Sequence, residues 1–216
     1  MPELTLASLV RNRTLSPEMA ATLAAAAEER RSLLFVAIPQ MAGKSTLMQT
    51  VLEYAPAETP MHHLSCAVDP TLGIPPTGDG GYLIVGEVSP AGYANYFWDE
   101  DVRQVFASLD RGFSMATALH AGSVNEACDV LTRENGVPAT EAARLDVVVY
   151  LRMLGDDWSN PTRRVAAAIA ETDGVRPRQA RVLHRWSEAD DCFEVGEPSE
   201  RIAAATIERY LRVFAE

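Results

Sequence analysis

The chain is expected to fold as an α/β domain with a mostly parallel central sheet and a β-rich C-terminal extension. Three observations predict this. Short runs such as SLLFVAI (32–38), YLIVGEV (82–88) and LDVVVYLRM (145–153) carry the predominantly apolar stretches of strands covered on both faces. Segments with helix-start residues or helical periodicity separate these runs, an alternation that gives parallel sheets. From Arg163 onward, the chain changes to short strand-like runs joined by turns.

Taken in order, Ser16 followed by Pro17 and Glu18 is a helix start, with an N-cap, a proline at the first helical position and an acid in the first turn. The Ala-rich run to Arg31 continues that helix. Ser32 to Ile38 is the first buried strand, Pro39 to Gly43 a loop, and Lys44 to Tyr54 a helix. Met61 to Ala67 is a second strand, and the Gly- and Pro-rich Asp69 to Gly81 a loop. Tyr82 to Val88 is a third strand. Asp99-Glu100-Asp101 forms an acidic helix start, and Val102, Val105, Phe106 and Leu109 recur at helical spacing. Phe113 to His120 is a fourth strand. Ser123-x-x-Glu126 is a capping box that opens a helix to about Arg133. Leu145 to Met153 is a further strand, and Arg163 to Glu171, Gln179 to Trp186 and Cys192 to Val195 are the short strands of the extension. A closing helix spans about Ser199 to Phe214.

Composition bounds the function. The 216 residues are 47% hydrophobic and 23% charged, which suits one globular core. The net charge is 19 − 30 = −11 with no basic patch, so nucleic acid is excluded as the expected partner. Three separated cysteines, with no C-x-x-C spacing, suit a reducing compartment and a cytoplasmic location. The N-terminal residues lack the basic and apolar regions of a signal peptide, and no run approaches the ~20 apolar residues needed to span a bilayer. Direct membrane insertion is not expected. Eighteen arginines accompany a single lysine, Lys44. Its place directly after Gly43 and before two hydroxyl residues marks it, because a compact ammonium fits a tight phosphate loop as a guanidinium does not.

A strand, a tight loop, Gly43-Lys44-Ser45-Thr46 and a helix form the context of a P-loop. Backbone N–H groups from Gln40, Met41 and Ala42 through Thr46 are placed to surround phosphate oxygens, and Lys44 to neutralise the outer phosphates. Ser45 is placed to put its hydroxyl on Mg²⁺. Ile38 stands where the motif's first glycine falls, and Pro39 supplies no N–H. Glu87 ends an apolar strand, where a carboxylate holds a metal's water shell or orients the attacking water. His120 ends another strand before a Gly-Ser turn. His62 and His63 alternate across a strand and do not share a metal. Tyr93, Tyr96, Phe97 and Trp98 are expected to pack in a core or interface.

These segments together resemble the type II/type IV secretion and pilus-assembly ATPase family, the tight-adherence pilus branch in particular, over its C-terminal ATPase domain only. LTLASLVRNRTLSPEMAATLAAAAEERRSLLFVAIPQMAGKST looks like the linker and first strand leading into Walker A. YLIVGEVSP resembles Walker B, and GFSMATALHAGSVNEACDVL the histidine box. LDVVVYLRM with RRVAAAIAE is similar to the closing strand pair. The resemblance covers about Leu4 to Glu171.

It implies a RecA-like P-loop NTPase core: residues 1–31 linker and N-terminal helix, 32–153 nucleotide-binding core, 154–216 extension and closing helix. It also implies ATP and Mg²⁺ as ligands, Lys44 and Ser45 for phosphate and metal, Glu87 as catalytic glutamate and metal-shell group, and His120 as γ-phosphate sensor. Asp69 falls in the family's aspartate box, with Val68 in place of its glutamate. A hexameric homo-oligomer and secretion or pilus proteins as partners follow from the same resemblance. Ser89 and Phe113 replace an arginine and a histidine of the family pattern, and with Ile38 and Pro39 they bear on turnover. Two functions stay open: an ATP-hydrolysing motor domain, or a degenerate P-loop relative that regulates or assembles without hydrolysis.

Overall fold

The protein is described by a computed structural model covering residues 4–38, 41–67, 70–155, 157, 160–172 and 180–215. In chain order its elements are α1 (Leu6–Arg11), α2 (Pro17–Glu28), β1 (Leu33–Ala37), α3 (Lys44–Leu52), β2 (Met61–His63), β3 (Tyr82–Ile84), β4 (Glu87–Val88) and β5 (Tyr96–Phe97). Then come α4 (Glu100–Ser108), β6 (Ser114–Leu119), α5 (Val124–Asp129), α6 (Ala139–Ala142), β7 (Val147–Leu154), β8 (Arg163–Glu171), β9 (Arg181–Ser187), β10 (Cys192–Val195) and α7 (Ala204–Phe214).

The described strands form one mixed sheet in the order β10-β9-β8-β7-β1-β6-β3-β2, with β4 pairing β6 and β5. β1 lies between β6 and β7, parallel to both, and β3 runs parallel to β6 and β2. From β7 to β10 every pairing is antiparallel. The mostly parallel centre is as expected from the sequence; the strands of the β-rich extension join the same sheet through antiparallel pairings. β1 explains why its run is uniformly apolar. Leu33, Phe35 and Ala37 join the core beneath α1, α2, α3 and α7, while Leu34 and Val36 join the opposite core with Val102, Phe106 and Leu131.

Helix α2 starts as its sequence dictates, Met19 N donating to the Ser16 Oγ cap at 3.2 Å. Its alanines are buried on every side because α1, α3 and α7 enclose it against the sheet. Small side chains permit that close approach. α7 is held there by Tyr210 Oη, which donates to Glu28 Oε2 at 2.6 Å, and by Arg209 on Glu28 Oε1 at 2.6 Å.

Several boundaries differ from the sequence expectation, each for a local reason. Tyr82 to Val88 divides into β3 and β4, because Glu87 N turns to donate to Asn95 O at 3.2 Å. Met61 to Ala67 shortens to β2. Beyond it Ser65 N donates to Leu72 O and Cys66 N to Ala94 O, which takes the chain off the sheet. The helix from Ser123 gives way after Asp129 to a π-helical turn over Val130–Glu134, where Asn135 donates to Val130 O through both its backbone N and its Nδ2. The closing helix begins at Ala204 rather than Ser199, since the Glu171 carboxylate takes Ser199 Oγ and the N–H groups of Glu200 and Arg201. Among the described residues, no helix is long and apolar enough to cross a membrane.

Candidate functional site

The chain leaves β1 at Ala37 and enters α3 at Lys44. Met41 (φ 68°) and Gly43 (φ 93°) are both left-handed. For Gly43 a side chain is doubly disfavoured, since a Cβ there would also lie 3.3 Å from Arg164 Cδ. Gly43 is the N-cap of α3 and, among the described residues, no side chain caps the helix, so its first-turn N–H groups keep the positive end of the helix dipole available to an anion.

Three strand ends converge on this helix head. Lys44 follows β1, Glu87 opens β4, and His120 follows β6. Lys44 and Glu87 are 6% and 7% exposed, a depth at which charged residues are rare unless paired. Lys44 Nζ lies 3.4 Å from Glu87 Oε1, and His120 Nε2 lies 2.8 Å from the same oxygen. Lys44 Nζ is also 3.3 Å from His120 Nδ1. Burial holds the Lys44 ammonium below the usual lysine range, against the opposing pull of Glu87. Burial, and then the hydrogen bond to Glu87, raise the Tyr96 phenol. Despite its close charge contacts, Glu87 Oε1 has no partner of hydrogen-bond geometry among the described residues.

These side chains open onto a cavity of about 710 Å³. Met41, Ala42, Gly43, Lys44, Ser45, Thr46, Glu87 and His120 all line it, so the expected phosphate, metal and catalytic residues are brought to one place. Ser45 and Thr46 are exposed to it. Gln40 and Asp69, with Pro39 and Val68, lie outside the described residues. Tyr96, Arg163, Arg164 and an apolar wall from Leu4, Leu9 and Leu151 also line the cavity. The sequence reading assigned them no site role. Tyr96 belongs to an aromatic run that sequence alone assigns to packing, and the Arg163-Arg164 pair carries no motif that ties it to the loop.

The residues fit a magnesium nucleotide. A left-handed loop, an uncapped helix head and a buried ammonium suit a polyphosphate. The Glu87 carboxylate, which lines the cavity, and the exposed Ser45 hydroxyl suit a hard cation that keeps phosphate and water among its ligands. Among the described residues no cluster of three or more His, Cys, Asp or Glu offers a metal cage made by protein alone.

Comparison with known protein families finds no match, and comparison with curated proteins finds none either. Among solved structures, the chain is similar to the VirB11 ATPase of the Brucella suis type IV secretion system, crystallised in complex with sulphate. The TM-score is 0.52 at 14% identity, covering 80% of this chain and 56% of that one. The chain spans little more than half the length of that protein. At such identity the likeness is one of fold: mixed α/β with a mostly parallel central sheet.

Proposed function

We propose that this chain binds ATP with Mg²⁺ and hydrolyses it, as an ATPase domain of the secretion and pilus-assembly type. The observation that carries the reading is the buried Lys44–Glu87–His120 cluster at the uncapped head of α3. The fold likeness to a secretion ATPase supports it.

In this reading Lys44 exchanges part of its attraction to Glu87 for the β- and γ-phosphate oxygens, and the N–H groups of α3 hold the phosphates in place. Mg²⁺, when bound, offsets phosphate charge and polarises the terminal phosphoryl group. Glu87, relieved of Lys44, orients a water and accepts its proton as the water oxygen attacks the γ-phosphorus and the β–γ bridging bond breaks. His120, in reach of both Lys44 and Glu87, is the group positioned to report whether a γ-phosphate is present. A cytoplasmic location and a hexameric assembly with secretion or pilus proteins belong to the same proposal.

Titration calorimetry with Mg·ATP on the wild type and Lys44→Ala tests the binding. Heat from the wild type and none from the variant is expected, and equal heats from the two overturn the nucleotide site. A second reading, binding without turnover, is favoured by the crowding of Glu87 Oε1, which Lys44 Nζ and His120 Nε2 approach to 3.4 and 2.8 Å, so that the carboxylate must give up both contacts to take a water. Steady-state phosphate release from the wild type, set against Glu87→Gln, separates the two. Equal background rates with intact binding select the second.

A further inference from the structure

The cations lining the cavity are not equivalent. Lys44 faces Glu87 at 3.4 Å, and Arg163 is paired with Asp191, its Nη1 donating to Oδ2 at 3.2 Å. Arg164 differs. Among the described residues no carboxylate forms an ion pair with it, in a chain whose net charge is −11 and where most arginines have an acid beside them. Its Nε donates to the carbonyl of Met41 at 3.1 Å, and its Cδ lies over Gly43. Among the described residues, neither terminal nitrogen donates to a protein acceptor. The side chain is thus pinned to the phosphate loop at its neck, it lines the cavity, and among the described residues its charged fork has no counter-ion.

We infer that Arg164 is a second phosphate-binding cation, delivered to the loop from the antiparallel strand β8 and selecting polyphosphates over monophosphates. The inference rests on the nucleotide reading above and extends it to a residue outside the loop and its two neighbouring strands. The division of labour follows from guanidinium chemistry: one N–H fixes the group to Met41, and the remaining fork makes charge-assisted bonds to phosphate oxygens. The requirement for glycine at 43 follows as well, because a larger residue would displace the arginine stem.

The test compares Arg164→Gln and Arg164→Lys with the wild type by Mg·ATP and AMP calorimetry, with thermal midpoints as a fold control. Gln keeps an N–H for the Met41 carbonyl and loses the charge; Lys keeps the charge and loses the fork. Arg164→Gln is expected to weaken Mg·ATP binding about tenfold or more, in line with a lost charge-assisted bond. AMP binding should move far less, and Arg164→Lys should recover part of the loss. If Arg164→Gln binds Mg·ATP like the wild type while Lys44→Ala does not, the inference is overturned and the nucleotide site stands. If Arg164→Gln matches the wild type and Arg164→Lys loses affinity, the residue is only a tether for Met41 and the inference also fails. If the wild type and Lys44→Ala give equal heats, the nucleotide reading itself has failed.

Discussion

Glu87→Gln tests the buried charge cluster without any ligand. The pair separation of 3.4 Å corresponds to an attraction of about 5 kcal/mol at an effective dielectric of ~20, and about 1 kcal/mol in water. The side chains are 6% and 10% exposed and face a water-accessible cavity, so the pair lies between these limits. Desolvation of both groups offsets most of the attraction. Breaking a fully buried pair from one side costs about 3–5 kcal/mol; for this pair about 2 kcal/mol is the reasoned loss for Glu87→Gln, which strands the ammonium. Lys44→Met should cost less, about 1 kcal/mol, because His120 still faces the carboxylate at 2.8 Å. The double variant should recover to within about 1 kcal/mol of the wild type, a coupling of about 2 kcal/mol. Urea denaturation of the four proteins near pH 7.5, without nucleotide and with unchanged m-values, measures the cycle. Additive losses would show that the two charges do not interact in the free protein, and the geometry argued for the site would then be wrong.

Three further outcomes follow from the structure. His184 is buried, and burial lowers its pKa to about 4; Nε2 lies 2.8 Å from Thr22 Oγ1, and among the described residues Nδ1 has no hydrogen-bond partner. The unfolded chain takes up that proton near pH 6.5. Stability is therefore fully present above that value and falls as pH drops towards 4, by on the order of 3 kcal/mol in all. Denaturation midpoints from pH 7.5 to 4 should decline through that window, with a flatter profile in His184→Gln. Glu171→Ala removes the carboxylate that accepts from Ser199 Oγ and the N–H groups of Glu200 and Arg201, and should lower stability by about 3 kcal/mol in chemical denaturation. Gly86→Ala places a Cβ 2.3 Å from Asn95 Nδ2 and 2.7 Å from Asn95 O, which moves β4 and Glu87 with it. Mg·ATP affinity by calorimetry should fall about tenfold, the effect of losing ~1.4 kcal/mol of site alignment.

The parts of this fold written in residue type were legible without coordinates. β1 is buried on both faces and apolar throughout, and β6 and the first half of β7 are buried and mostly apolar, so their runs announce them. Ser16 and Ser123 act as the caps their surroundings suggest. What could not be read depends on tertiary partners. The break at Gly86 is imposed by Asn95, and the late start of α7 by Glu171, a residue far behind it in the chain. The helix α1 is a single short turn-and-a-half whose cap, Thr5, exchanges hydrogen bonds with Ser8, too brief a pattern for periodicity to register. At the site, the motif residues Gly43 to Thr46 and the strand-end Glu87 and His120 were visible as chemistry placed at the ends of strands. Arg164 was not, because its meaning comes from the antiparallel pairing of β8 with β7, which carries it back over the loop.

The burial of Lys44 has a consequence of another kind. It is the only lysine among the 216 residues, so the chain has a single side-chain amine, and that residue lines the cavity at the head of α3. An amine-directed acylating reagent has one internal target. The depressed basicity of that amine leaves more of it neutral and nucleophilic near pH 7, while its depth restricts access to the cavity mouth. Labelling at Lys44, followed by mass spectrometry, would act as an intrinsic occupancy gauge. Acetylation or ubiquitin attachment through a lysine side chain would likewise have this one address, and would silence the site by occupying it.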